Sequence, residues 1–312
     1  MKICFVGAGS LGSALGGTLA AGGLDVQLVD PWHEHVAAIN SAGLLLREGG
    51  QERRVPVKAA IAYAGLGIAD VVIVLVKSFD TREAALAARP VVGPDTVVLS
   101  LQNGLGHEEI LAEIFGRERV LAGKTYAGGG LIAPGHVQAG TLGKETIIGE
   151  LDGTLSERAL RIAETFATAG LKTQASTRIM GVMWDKLLIN VATGALTGIT
   201  GLPYGPLHRV PEIEVCALEA VSEAVRVACA SGIALSSEDP RVAWTKAAAG
   251  LPEGFKPSLL QSIEKQQRTE IDFINGAVVR WGERCGVATP VNKTLAACVK
   301  GIESRFPSDL KR

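Results

Sequence analysis

Lys2-Ile3-Cys4-Phe5-Val6-Gly7-Ala8-Gly9-Ser10-Leu11-Gly12 opens the chain with an apolar run that passes directly into a G-x-G-x-x-G spacing. The apolar run Ile3–Val6 suits a strand buried on both faces, and the stretch Leu11–Ala21 behind it suits a helix. In that setting each glycine has a separate role. Gly7 permits the tight turn, Gly9 lets a pyrophosphate approach the backbone, and Gly12 allows helix and strand to pack closely. The helix N-terminus adds unpaired N–H groups and a partial positive charge that favour an anion. Gly7, Ala8, Gly9, Ser10, Leu11 and Gly12 are therefore candidate dinucleotide-binding residues. In a chain with 38 glycines an ordinary turn is the alternative, and the strand before and helix after weigh against it. A secretory leader is a second alternative, countered by the glycines that interrupt the run and by the single positive charge at Lys2.

Outward from this stretch, strand and helix signals alternate. Val26–Val29, Val71–Val76 and Val97–Leu101 read as further buried strands, and Glu34–Ser41, Thr81–Ala88 and Glu108–Phe115 as helices. Residues 44–57 hold a Glu-Gly-Gly turn between two extended pieces, a hairpin insertion, and residues 123–150 are rich in Gly, Thr and β-branched residues that suit additional strands. After a helix at Leu155–Ala169 and a strand at Leu171–Gln174 the character changes. Helical patterns follow at Ile179–Thr197, Ile213–Ser231, Arg241–Ala249, Leu259–Cys285 and Asn292–Ser304, punctuated by prolines. The expected architecture is α/β: a Rossmann-type parallel-sheet domain over 1–172 and an all-helical domain over 173–312.

At 312 residues the chain has room for two cores. It is 47% hydrophobic but only 4% aromatic, so those cores are built from Ala, Val, Leu and Ile. With 31 basic and 32 acidic residues intermixed, no basic stripe for nucleic acid is expected, and no unbroken apolar run is long enough to span a bilayer. The five cysteines form no CxxC and read as small core residues of a cytoplasmic protein, and the five histidines show no metal-ligand spacing, so no metal is expected. The Ala-rich helical half is a candidate surface for a homodimer.

Asp30 ends the second strand at about the 20-residue spacing expected for the acid that accepts hydrogen bonds from the adenosine ribose, and a carboxylate there repels a 2′-phosphate. On this reading the cofactor is NAD(H); the competing reading is that Asp30, before Pro31, only starts a turn. Lys77 and Asn103 follow the third and fourth strands at their carboxyl ends, where ligands of open α/β sheets bind. A solvent-exposed cap for Lys77 and a turn dipeptide for Asn103-Gly104 are the plainer alternatives. In the second half Trp184-Asp185-Lys186-Leu187-Leu188-Ile189-Asn190 puts Lys186 and Asn190 one helical turn apart, and Thr269-Glu270-Ile271-Asp272-Phe273-Ile274-Asn275-Gly276 falls inside the predicted long helix.

Taken in order, the N-terminal G-x-G-x-x-G, Lys77, Gln102-Asn103-Gly104, the Trp-x-Lys-x-x-x-Asn helix and Thr-Glu-Ile-Asp-x-Ile-Asn-Gly make the chain resemble the ketopantoate reductase (2-dehydropantoate 2-reductase) family over nearly its whole length. The resemblance implies reduction of 2-dehydropantoate to (R)-pantoate with NADP(H), on the pantothenate route to coenzyme A. It implies Lys186 as the general acid, Asn190 and Ser258 as substrate contacts, Lys77 and Asn103 as contacts to cofactor or substrate, and Glu270 as a catalytic residue that contacts either. Ser258 also begins a Ser-x-x-Gln pattern that suits a capping box. The chemistry is coherent, since hydride arriving at a ketone carbon leaves negative charge on oxygen that a positioned ammonium can stabilise and protonate.

Two departures stand out. Where the family carries a second Asn one turn beyond the first, this chain has Gly194, which favours a relative acting on another 2-oxo acid. Where NADPH-using members often carry an Arg after the second strand, it has Asp30-Pro31-Trp32. A reading of another class, a non-catalytic dinucleotide sensor, leaves Lys186, Asn190 and Glu270 together without a purpose.

Overall fold

The computed structural model describes residues 1–307. The chain divides into two compact units: 1–102 with 107–179, and 103–106 with 180–312.

The first unit begins β1 (Lys2–Val6), α1 (Ser10–Ala21), β2 (Asp25–Val29), α2 (His33–Ala42), then the hairpin β3 (Leu44–Glu48) and β4 (Gln51–Val55), and β5 (Lys58–Ala60). It continues through β6 (Val71–Val74), α3 (Thr81–Ala87), β7 (Val97–Ser100), α4 (His107–Phe115) and β8 (Val120–Thr125). β9 (Gly128–Ala133), β10 (His136–Gly140), β11 (Thr146–Glu150), α5 (Glu157–Thr168) and β12 (Thr173–Ala175) complete it. Eight strands form one sheet in the order β12-β11-β8-β7-β6-β1-β2-β5. From β5 to β8 all neighbours pair in parallel, and β11 joins β8 antiparallel. The run β5-β2-β1-β6-β7-β8 is the doubly wound dinucleotide-binding order 3-2-1-4-5-6, whose reversal point lies between β1 and β6.

The hairpin does not stand alone. β3 pairs in parallel with β10, and β4-β3-β10-β9 make a second sheet. α1 lies between the two sheets: a Cβ at Gly16 would strike Leu28 and Phe5 of the main sheet, and one at Gly17 would strike Leu44 and Leu46 of the second. That is why α1 reads as apolar on all sides. A helix buried on both flanks has no polar face to show.

The second unit is helical: α6 (Ile179–Thr200), α7 (Tyr204–Leu207), α8 (Pro211–Ala230), α9 (Pro240–Ala248), α10 (Ser258–Glu264), α11 (Asn275–Cys285) and α12 (Pro290–Glu303). Among the described residues α6 is the one helix long and apolar enough to cross a membrane, and 67% of its apolar window is buried in the fold. Glu223 on α8, 2% exposed, accepts from the backbone N–H groups of Val291 and Asn292 at 2.9 Å each and from Asn292 Nδ2 at 2.8 Å, capping the start of α12. Asn275 Nδ2 donates to Asn292 Oδ1 at 3.0 Å, so the Asn of the 269–276 motif joins α11 to α12 inside the core.

Several expectations are corrected. The predicted helix Leu259–Cys285 is two helices. α10 closes with Gln266 in the left-handed region (φ 53), while Gln266 N–H donates to Ile263 O and Gln267 N–H to Ser262 O, a Schellman closure made without glycine. Residues 269–274 therefore lie in a break containing a single 3-10 turn, Ile271–Phe273, and Asn275-Gly276 open α11. The predicted capping box fails as well. Pro257 is the N-cap, Ser258 is the first helical residue, and Gln261 Nε2 donates to Lys256 O at 2.8 Å. Of the cysteines only Cys4 is fully buried, its thiol pushed up to about 12 by burial, while Cys229 and Cys298 are exposed. The chain leaves the first unit at Ile179, beyond the predicted residue 172, because β12 pairs in parallel with β11 and belongs to the main sheet.

Candidate active site

The loop Gly7–Gly9 leaves β1 at the reversal point of the sheet. Gly7 has φ +99, and a Cβ there would sit 3.0 Å from the Leu75 backbone and Val76 Cγ1 just beyond β6. A Cβ at Gly12 would lie 2.0 Å from Gly7 O, so only glycine lets α1 start this close to the turn. Gly9, the N-cap of α1, is different: it is exposed, and a Cβ there would meet nothing within 4 Å. The helix has no capping side chain and no acidic residue in its first turn. An open cradle ahead of unneutralised helix N–H groups fits the pyrophosphate of a dinucleotide.

Asp30 reaches this loop from the end of β2. Its Oδ2 accepts from Ala8 N–H at 2.8 Å and its Oδ1 from Trp32 N–H at 3.0 Å. The carboxylate thus shapes the turn before α2 and also stands at the glycine loop.

β6 stops at Val74, and Lys77 is exposed three residues on, at the N-cap of the 3-10 turn Ser78–Asp80. Its approach is held by a residue the sequence reading did not single out. Buried Gln102 donates from Nε2 to Val76 O at 2.8 Å and to Thr81 Oγ1 at 2.9 Å, while Ser100 Oγ donates to Gln102 Oε1. The signal was available only as the Gln of Gln-Asn-Gly.

Within the second unit, Asn103-Gly104-Leu105-Gly106 packs on the 3-10 turn that follows Glu270. Leu105 N–H donates to Phe273 O at 2.9 Å, and a Cβ at Gly104 would lie 2.3 Å from that oxygen. Glu270 is half-buried at the N-cap of this turn.

Lys186 and Asn190 are half-buried one turn apart on α6. Burial lowers the Lys186 pKa from 10.5, because an ammonium drawn out of water is disfavoured. Gly194 and Gly198 continue the same stripe. A Cβ at Gly194 would touch only Leu259 Cδ1 at 3.7 Å, while one at Gly198 would strike Leu259 Cδ2 at 2.4 Å, so the start of α10, with exposed Ser258, lies against this face of α6. Trp184 holds the first turns of α6 through an edge contact with Trp281 of α11, with ring centroids 5.6 Å apart. The second unit therefore brings Ser258 near the Lys186–Asn190–Gly194 stripe and Asn103 near Glu270, while the first unit assembles Gly7–Gly12 with Asp30 and, across the reversal point, Lys77.

Comparison with known proteins places these motifs. Residues 3–153 match the family model described as ketopantoate reductase PanE/ApbA, and residues 178–303 its C-terminal model. A 2-dehydropantoate 2-reductase of Halobacterium salinarum is 35% identical over 303 residues, covering 96% of this chain and 98% of the relative. One from Pyrococcus horikoshii is 35% identical over 304 residues, covering 97% and 98%. Among solved structures, a PanE/ApbA family ketopantoate reductase from Ralstonia eutropha JMP134 superposes with a TM-score of 0.89 at 35% identity, covering 98% of this chain and 99% of that one. D-Mandelate dehydrogenase in ternary complex with NADH and anilino(oxo)acetate superposes with a TM-score of 0.89 at 28% identity, covering 98% and 99%.

Proposed function

The chain belongs to the ketopantoate reductase family, and we propose on that premise that it reduces the ketone of 2-dehydropantoate to (R)-pantoate. Bound nicotinamide dinucleotide supplies the hydride. The glycine loop and the start of α1 hold its pyrophosphate, with Lys77 on the other side of the sheet's reversal point. Lys186 hydrogen-bonds the ketone oxygen, stabilises the charge that develops there and hands over a proton as the carbinol forms. Its lowered pKa suits this role, because burial makes the ammonium release its proton more readily than a solvated lysine does. Asn190 and Ser258 orient the substrate, and Asn103 and Glu270 contact cofactor or substrate. The observation that carries the reading is Lys186, drawn out of water one turn before Asn190 on α6.

For the cofactor we favour NADH. The Asp30 carboxylate sits at the glycine loop, held by two backbone N–H groups, and disfavours a 2′-phosphate on the ribose. The relative D-mandelate dehydrogenase is described with NADH.

A second reading has one observation in its favour. Gly194 has no side chain where the family resemblance expects an amide, and a Cβ there would meet only Leu259 Cδ1 at ordinary contact distance, so the pocket would accept a 2-oxo acid with a bulkier substituent.

Oxidation of NADH and NADPH, followed separately with 2-dehydropantoate and a panel of other 2-oxo acids, tests all three points. Efficient turnover of 2-dehydropantoate with NADH is expected. Turnover only of another 2-oxo acid would leave the acid and fold in place and replace the substrate; strong preference for NADPH would refute the role given to Asp30; no oxidation with any 2-oxo acid would remove the enzymatic reading.

A further inference from the structure

His35 is the third residue of α2 and is 0% exposed, yet it belongs to none of the motifs that carry the family resemblance. Its two ring nitrogens are engaged. Gly135 N–H, in the turn between β9 and β10, donates to Nδ1 at 3.0 Å, and Ser13 Oγ lies 3.1 Å from Nε2. A backbone N–H can only donate, so Nδ1 carries no proton and the single proton of the neutral ring is on Nε2, pointing at Ser13. The Ser13 hydroxyl in turn donates to Ala8 O at 2.6 Å. The chain of donors runs one way: Gly135 to His35, His35 to Ser13, Ser13 to Ala8. Trp32 stacks on the imidazole, with centroids 5.2 Å apart and planes 8° apart, and closes it from one side. Burial lowers the His35 pKa against the opposing influence of Asp30, which keeps the ring in this neutral form.

The end of the chain of donors is a peptide of the glycine loop. The Ala8 N–H is held by Asp30 Oδ2, and the Ala8 carbonyl is held by Ser13, so this residue is clamped on both sides. In a planar trans peptide the C=O and the following N–H point in opposite directions. Drawing the Ala8 carbonyl in toward buried Ser13 therefore turns the Gly9 N–H outward, on the exposed side where the loop is open. That N–H is placed to meet an anion at the start of α1.

We propose that His35, acting through Ser13 and the Ala8 carbonyl, is a positioning residue that presets the Gly9 N–H for the pyrophosphate of the dinucleotide. This rests on the cofactor reading given above. Its effect falls on cofactor affinity and leaves the chemical step alone.

Isosteric variants separate the links. In His35→Asn the side-chain oxygen can still accept from Gly135, but nothing reaches Ser13. In His35→Gln the terminal amide replaces Nε2–H and keeps the link to Ser13. Ser13→Ala removes the link while leaving the imidazole in place. The Kd for NADH and NADPH by fluorescence titration, the KM for cofactor, kcat at saturating cofactor and the thermal midpoint are measured for all four proteins. The expected result is a cofactor Kd about 5–15-fold weaker in His35→Asn and Ser13→Ala, the size of one hydrogen bond, with kcat within about threefold of wild type and near-normal Kd in His35→Gln. If His35→Asn does not fold, Ser13→Ala carries the test. A wild type that binds cofactor, with Ser13→Ala and His35→Asn unchanged in Kd, overturns the inference and leaves a purely structural histidine. A wild type that binds neither dinucleotide overturns the cofactor reading and this inference with it.

Discussion

Replacing Gly194 separates substrate recognition from fold stability on one helix position. Gly194 lies inside α6, and a Cβ added there would meet only Leu259 Cδ1 at 3.7 Å, an ordinary van der Waals distance. Gly194→Ala should therefore gain the helix propensity of alanine, ~1 kcal/mol, with a little more from the buried methyl. At roughly 2–4 °C per kcal/mol for a domain of this size, its thermal midpoint should rise by a few degrees. Gly194→Asn loses part of that gain, because a buried amide with no partner costs ~1–3 kcal/mol in the free protein. If the position faces the substrate, a hydroxyl on 2-dehydropantoate supplies the partner. kcat/KM for that substrate should then rise about three- to tenfold over wild type, with no gain for a 2-oxo acid lacking the hydroxyl. Thermal melts and steady-state rates on the two substrate types measure both effects. A destabilised Gly194→Ala would show that a methyl does not fit against Leu259, and a Gly194→Asn that slows 2-dehydropantoate more than Gly194→Ala does would remove this position from the substrate pocket.

Lys186→Ala should lower kcat/KM by ~10²–10⁴-fold while leaving cofactor Kd nearly unchanged, and a near-normal rate would take the acid role from Lys186. Since the protonated form is the acid and burial lowers its pKa, the wild-type rate should fall as pH rises through a value below 10.5, and this limb should vanish in the variant. Asp30→Ala should narrow the preference for NADH over NADPH, measured as the ratio of the two kcat/KM values; an unchanged ratio would leave Asp30 with the turn alone. His35, its pKa lowered in the fold, is neutral there while the unfolded chain gains a proton below about 6.5, so folding stability should decline as pH falls below that value. Denaturant titrations across that range should show a shallower decline in His35→Gln. Glu223→Ala leaves two N–H groups at the start of α12 without their acceptor and should cost ~2–4 kcal/mol of stability in the second unit with its site chemistry unaltered.

What the sequence determined was carried by local pattern. The apolar run into Gly7–Gly12, the strand ending at Asp30 and the alternation that follows specify a parallel sheet wound in the dinucleotide-binding order, because strand and helix periods and turn glycines are properties of neighbouring residues. The one-turn spacing of Lys186 and Asn190 was legible for the same reason. The tertiary structure alone decided where partners distant in sequence meet. The break after α10 is invisible in sequence because apolar spacing continues across it and its closure uses Gln266 where a glycine is the usual signal. The second sheet depends on the parallel pairing of β3 with β10, which no local pattern announces. Asn275 reads as part of the family motif at 269–276 and proves to be a core tie to Asn292. His35 reads as an isolated histidine until Gly135, 100 positions along the chain, is brought to its Nδ1. A hydrogen bond is specified by distance and direction between two groups, and for groups this far apart in sequence only the packed fold supplies either.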